Sequence, residues 1–358
     1  MNIELNNLNK FVCLEKIVFS NKEILTESIE FLSKNISKDY DIIICERGEG
    51  IASCFELYAI FESLLKEFGL NNKVYIFTET EVSEYYEFIK NRFGWECIFL
   101  TAFYDMPRMY QRLYNLDFPA NIHIHNWQDA YKIPFDKHIE KHFLTLNRSY
   151  RNVSHEHRKY LHSFMKDMDM FDKSYASFRF LPEMYNNFGE EIQHINDINQ
   201  NQNSYSQITI KHLYDSAFLS ILTESDFEST IKVKLLSLLN NETDEIFEFR
   251  NDYLTEKTSR NLMMGLPFIM VGPYKSLDRL KNMGFKTFEM IIDESYDMEP
   301  EPLQRFEMIK NEIIKISKLS IDEMESIHKE LYPILIHNRN NIKNIQDNNA
   351  KKIQSLWK

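Results

Sequence analysis

Short apolar runs alternate along the chain with longer stretches of helical spacing. In the first part, Phe11–Phe19 and Asp41–Cys45 (DIIIC) read as strands, with an amphipathic helix over Lys22–Ile36 between them. A helix from Ile51 to about Glu67, a strand at Lys73–Phe77, a helix at Glu81–Arg92 and strands at Glu96–Thr101 and Asn121–His125 continue the alternation. A second run begins near Lys141. It places strands at Phe143–Leu146, Ser174–Phe180, Phe218–Leu222, Phe268–Val271 and Lys286–Ile291. The intervening helices are Ser154–Lys166, with Ser154 as N-cap, and Ser276–Met283. Helices at Glu301–Lys318 and Ile321–Ile336 follow, and Asn338–Gln346 reads as polar and frayed. Strands separated by helices of this length predict parallel sheets covered on both faces. The two runs predict an α/β chain of two Rossmann-like domains, residues 1–135 and 136–315, with a helical segment at 316–358.

The densest signal lies at Asn251–Pro273, NDYLTEKTSRNLMMGLPFIMVGP. Tyr253 to Lys257 is a polar lead-in, Thr258 to Met264 has helical spacing, and Gly265 is a helix stop. Phe268–Val271, between Pro267 and Gly272-Pro273, has the form of a buried parallel strand. Three of the eight glycines (Gly265, Gly272, Gly284) fall in one twenty-residue window, which marks it as tightly turned. A polar helix start followed by a buried strand is how open α/β sheets present ligand-binding groups.

This segment resembles the donor-binding segment of the α-1,3-fucosyltransferase family, through Asp252-Tyr253-Leu254-Thr255-Glu256-Lys257, an apolar helix, and Pro267…Gly272-Pro273. It is also similar to uncharacterised phage-encoded proteins carrying the same segment. The match covers roughly the C-terminal half. The resemblance implies a GT-B architecture, two Rossmann-like domains facing a cleft, with the nucleotide sugar on the C-terminal domain and the acceptor on the N-terminal one. It implies that Lys257 meets the donor diphosphate, that Glu256 accepts from ribose hydroxyls, and that Tyr253 and Thr255 lie near the nucleotide. It further implies an Arg in the helix after Leu144–Asn147. Arg158 fits that place, and Arg148 is the alternative. A guanidinium fork matches phosphate geometry. The family has a Glu-Asn-Ser after an apolar strand. Here Thr223-Glu224-Ser225 stands there, followed by a longer insertion, Asp226–Arg250.

The residues support the same chemistry independently. Sugar transfer from a nucleoside diphosphate needs the leaving charge stabilised by a metal, by fixed cations or by helix N-termini. Lys257 and an Arg supply cations, so metal independence is expected and no cofactor beyond the donor substrate. The acceptor hydroxyl needs a base. Glu46 and Glu49, in the Glu46–Gly50 turn after the DIIIC strand, are the candidates. Each group also has a structural reading: Glu256 and Lys257 as a solvated first helical turn, the arginines as surface residues, Glu224 as a loop or capping acid, and Glu46 and Glu49 as turn acids. Asp293, Glu294 and Asp297 could serve a cleft or cap the next helix.

A formal net charge of −12 disfavours broad nucleic-acid binding, although one basic groove would suffice for an enzyme handling DNA transiently. The acceptors in view are a hydroxylated DNA base and a surface glycan. Cys13, Cys45, Cys54 and Cys97 show no CxxC spacing and read as reduced core residues, which suits a cytoplasmic protein. No signal peptide or membrane span is read from the sequence. Asp167-Met168-Asp169 imitates a metal-binding DxD, but it ends a helix rather than a strand. Two rival functions belong to other classes: an inactive GT-B-like binding or anti-defence module, and a nucleotide-sugar epimerase.

Overall fold

The computed structural model describes residues 3–6, 11–15, 22–35, 40–46, 57–78, 83–99, 132–147, 156–179, 184–186, 211–224, 227–228, 230–235, 245–250 and 254–356. The chain forms two compact units. The first comprises Met1–Phe118, Thr230–Asn251 and Gln346–Lys358, and the second Pro119–Ser229 and Asp252–Ile345.

The first sheet runs β1 (Ile3–Asn6), β2 (Phe11–Glu15), β3 (Asp41–Glu46), β4 (Val74–Thr78), β5 (Glu96–Phe99), in that spatial order. Only β1 is antiparallel to its neighbour. Helices α1 (Lys22–Asn35), α2 (Tyr58–Glu67) and α3 (Ser83–Phe93) make the crossovers. In α1 the buried Leu25, Ile29 and Leu32 recur at helical spacing, so one stripe faces the core. Trp95 meets Tyr58 and Phe61 of α2 edge-on, with ring centroids 5.3 and 5.5 Å apart.

The second unit begins with β6 (Lys141–Asn147), α4 (Glu156–Asp167), β7 (Ser174–Arg179), β8 (Met184–Asn186), α5 (Lys211–Ser216) and β9 (Ala217–Thr223). The chain then leaves it for an antiparallel hairpin, β10 (Thr230–Leu235) and β11 (Glu245–Arg250), grouped with the first unit. This is the insertion noted in the sequence. Phe247 and Phe249 dock it against Phe88 of α3, with centroids 4.5 and 5.7 Å away. The chain returns with α6 (Glu256–Met264), β12 (Phe268–Val271), α7 (Ser276–Asn282), α8 (Pro302–Ile316) and the long α9 (Ile321–Leu356).

The second sheet has the order β12-β9-β6-β7-β8, parallel except for β8. From β6 the chain steps to β7 on one side, then returns to place β9 on the other. The order therefore reverses between β6 and β9, and such a switch point opens a crevice at the carboxyl ends of the strands. The described strands of the first sheet advance in one direction without such a reversal.

The strand predicted at Lys286–Ile291 does not form. Its backbone is satisfied by side chains instead: Lys286 N–H donates to Asn338 (2.8 Å), the Asn338 amide donates back to Lys286 O (2.7 Å), and Phe288 N–H donates to Glu294 (2.7 Å). The outer edge of β12 is covered by Tyr296, whose hydroxyl accepts from Met270 N–H at 3.1 Å. The same asparagines explain why α9 continues through the stretch expected to fray. Asn338 is buried, and Asn341 donates to Met283 O at 2.9 Å, so a polar helix face is held by tertiary bonds. Asn121–His125 and Gln193–Ser206 lie outside the described residues. Among the described residues no helix is long and apolar enough to cross a membrane.

Candidate functional site

Buried polar side chains gather where β6 and β9 end, at the switch point. Leu144 pairs with Ser220, which brings Asn147 level with Thr223 at the strand termini. Thr223 donates to Asn147 Oδ1 at 2.5 Å, and the Asn147 amide donates to Thr145 at 3.1 Å. All three side chains are buried. Polar residues at the end of a strand as apolar as Ala217–Leu222 require such partners, because an unmatched buried polar group is costly.

One residue further, Glu224 is fully buried. Its carboxylate accepts from Thr255 N–H (3.1 Å), from the Thr255 hydroxyl (2.5 Å) and from the Thr258 hydroxyl. Thr255 is the N-cap of α6, in extended backbone conformation, and its hydroxyl accepts from Lys257 N–H at 3.3 Å and from Lys257 Nζ at 3.0 Å. Glu224 thus fastens the first turn of α6 to the end of β9. The helix start offers positive potential to the carboxylate. Lys257 adds a cation in that same first turn, where a positive charge is unfavourable to the helix by itself. Gly265 ends α6 at φ +62°, as its sequence position predicts.

The backbone of Glu224 is gripped as well. Its carbonyl accepts from Arg158 Nη2 at 3.1 Å and lies 3.1 Å from His157 Nε2. Both residues belong to the buried side of α4. His157 stacks on Phe227 at 5.4 Å, and the Arg305 guanidinium covers the same ring at 4.4 Å. Arg305 also donates to Phe227 O and to Glu299 O (2.7 Å), and burial lowers its pKa to about 10.

Of the sequence-predicted residues, the fold brings together Arg158, Glu224, Thr255 and Lys257, and Glu256 is the first residue of α6. Glu46 is the last residue of β3 in the first unit. Glu49, Arg148 and Tyr253 lie outside the described residues. Sequence reasoning missed His157, Thr258, Asn147, Thr223 and Arg305. The signal for Thr223 and Thr258 was present, as hydroxyls flanking Glu224 and Lys257. His157 and Arg305 carried none, since each acts across more than sixty residues of chain.

The acids after β12 have capping duties. Asp297 accepts from Leu277 N–H and Asp278 N–H, both at 2.9 Å, and caps α7. Burial pushes its carboxyl up to about 6 despite those bonds. Asp293 accepts from Ser295 N–H at 3.0 Å, and this bond lowers its pKa. Glu294 takes the Thr287 hydroxyl at 2.7 Å and Lys281 at 3.0 Å. Asp167 ends helix α4, as the discounted DxD requires. Among the described residues no three His, Cys, Asp or Glu side chains come together as a metal cluster would need.

No family model and no curated protein matches the sequence. Among solved structures, the chain is similar to an alpha,alpha-trehalose-phosphate synthase (UDP-forming) from Burkholderia vietnamiensis. The TM-score is 0.40 at 10% identity, over 94% of this chain and 75% of that one. A likeness this distant is no guide to chemistry.

Proposed function

We propose that this protein is a glycosyltransferase that moves a sugar from a nucleoside-diphosphate sugar to an acceptor hydroxyl. The observation that carries the reading is the Glu224 clasp. It fixes the α6 N-terminus, with Thr255 and Lys257, at the carboxyl end of β9 beside the switch point. The resemblance of Tyr253–Lys257 to a donor-binding segment supports the same assignment. In the reaction the bond from the sugar C1 to the diphosphate oxygen breaks, and a bond from C1 to the acceptor oxygen forms. The nucleoside diphosphate leaves with its charge held by Lys257 and the helix N-terminus, with Arg158 as a further cation. The acceptor proton passes to a carboxylate, for which Glu46 and Glu49 are assigned. Glu224 acts here as a positioning residue, holding the helix that binds the donor. The acceptors we propose are a hydroxylated DNA base or a surface glycan, and the acidic balance of the chain favours the glycan.

The test is a thermal-shift panel of UDP-, GDP- and dTDP-sugars, with a CMP-sugar as the monophosphate control, against the wild type and Lys257→Ala. A ligand at a hundred times its Kd stabilises by about 2.7 kcal/mol, which is a shift of a few degrees. The expected result is a shift with one nucleotide class that disappears in Lys257→Ala. No shift with any donor would sink the proposal. Interconversion of a free nucleotide sugar without acceptor would replace it with an epimerase.

A further inference from the structure

A hollow lies between α6 and the second sheet, one helical turn beyond Lys257. Leu144, Leu222 and Tyr214 contribute apolar walls, Lys257 and Arg260 add cations, and the hollow opens to solvent. Two polar residues in the lining stand out. Ser220 is the only polar residue in the run Ala217–Leu222, the middle of a central strand, and it is 5% exposed. Its side chain has no hydrogen-bond partner among the described residues. Asn261, also 5% exposed, donates its amide N–H to Lys257 O at 2.9 Å. That bond fixes which end of the amide is oxygen, and Oδ1 is left without a partner among the described residues.

Buried polar groups without partners are rare, because burying them unmatched costs free energy that folding does not recover. A chain that needed only helix-on-sheet packing would place an apolar residue at position 220, as its neighbours Leu219 and Ile221 and its cross-strand partners Leu144 and Phe268 do. One such group, Asn261 Oδ1, shares a hollow of apolar walls and cations with the Ser220 hydroxyl, and the pair matches a flat heterocycle that presents an N–H edge. Lys257 and Asn261 are four residues apart on the helix, a rise of about 6 Å. A ribose between a base and a diphosphate can span that separation.

We propose that this hollow takes the base of the donor nucleotide, and that Asn261 Oδ1 and Ser220 Oγ read its edge. They are then the residues that set nucleotide specificity. The inference rests on the nucleotide-sugar reading of Lys257.

The experiment is isothermal titration of UDP, GDP, CDP, ADP and dTDP, and of inorganic pyrophosphate, into the wild type, Asn261→Leu, Ser220→Val and Lys257→Ala. The wild type should bind one nucleotide well above pyrophosphate. Asn261→Leu removes the acceptor at nearly constant volume. It should weaken that nucleotide about tenfold or more, the worth of one buried hydrogen bond, and leave pyrophosphate unchanged. Ser220→Val fills the hollow, so it should raise Tm while weakening the nucleotide. A packing role predicts the higher Tm with no change in binding. If Asn261→Leu does not fold, Ser220→Val decides alone. Unchanged nucleotide affinity in the folded variants overturns the base assignment, and so does pyrophosphate binding as tightly as every nucleotide. In both cases the donor reading stands if Lys257→Ala still abolishes binding. Lys257→Ala without effect, or no binding at all, overturns both.

Discussion

Replacing Glu224 by Ala tests the clasp directly. The carboxylate is fully buried and accepts three bonds, from Thr255 N–H, the Thr255 hydroxyl and the Thr258 hydroxyl. Truncation leaves three donors facing a void. Each buried donor without an acceptor costs about 1–3 kcal/mol, and relaxation with entry of water recovers part, so the expected loss is about 3–5 kcal/mol. That loss falls on the first turn of α6 rather than on the whole two-unit chain. Amide hydrogen exchange therefore reads it better than a global melt. Thr255 and the following amides of α6 should exchange about a hundredfold faster or more, since each 1.4 kcal/mol is a factor of ten. Glu224→Gln keeps one oxygen for Thr255 N–H and Thr258. It loses the second acceptor, so it should cost about 1–2 kcal/mol and exchange at an intermediate rate. If Thr255 in Glu224→Ala exchanges within about threefold of wild type, the clasp does not hold the helix and this reasoning fails.

Three further predictions concern stability. Gly265 holds φ +62°, and an added Cβ would sit 2.4 Å from Ile133 Cδ1. Gly265→Ala should therefore cost about 1–3 kcal/mol, and an unchanged Tm would contradict the cap. Asp297 keeps its proton to about pH 6 in the fold, against 3.8 unfolded. Its contribution is present below pH 3.8 and is lost as pH rises through 6, by about 3 kcal/mol. Denaturation at several pH values should show wild type losing ground to Asp297→Asn between pH 4 and 7, and parallel curves would refute it. His328 is buried and bonded to Pro134 O (2.9 Å), and burial lowers its pKa to about 4 from 6.5, helped by Lys137 and Lys329. The sign is opposite: its contribution is present above pH 6.5 and is lost as pH falls towards 4. His328→Gln should remove that acid sensitivity, and the same pH series measures it.

The local periodicity of the chain determined most of the elements. Apolar runs such as Asp41–Cys45 and Phe268–Val271 become central or parallel strands, because a strand buried on both faces must be apolar throughout. Gly265 marked its helix end, since the left-handed cap favours glycine. Thr255, Lys257, Glu224 and Arg158 were legible as a candidate set from their types and from the places they take beside strand ends. Their connection was not legible. Glu224 and Thr255 are joined across a thirty-one-residue separation that includes a hairpin grouped with the other unit, and Arg158 reaches Glu224 O across sixty-six residues. Lys286–Ile291 reads as a strand because apolar Phe288 and Met290 alternate with Thr287 and Glu289. Whether it pairs as one is decided by Asn338 and Glu294, which are distant or downstream in sequence and satisfy its backbone first. The hollow of Ser220 and Asn261 shows the same division. The sequence places one serine in an apolar strand and one asparagine in a helix. Only packing α6 on β9 brings them together, because hydrogen bonding and exclusion of water act through space rather than along the chain.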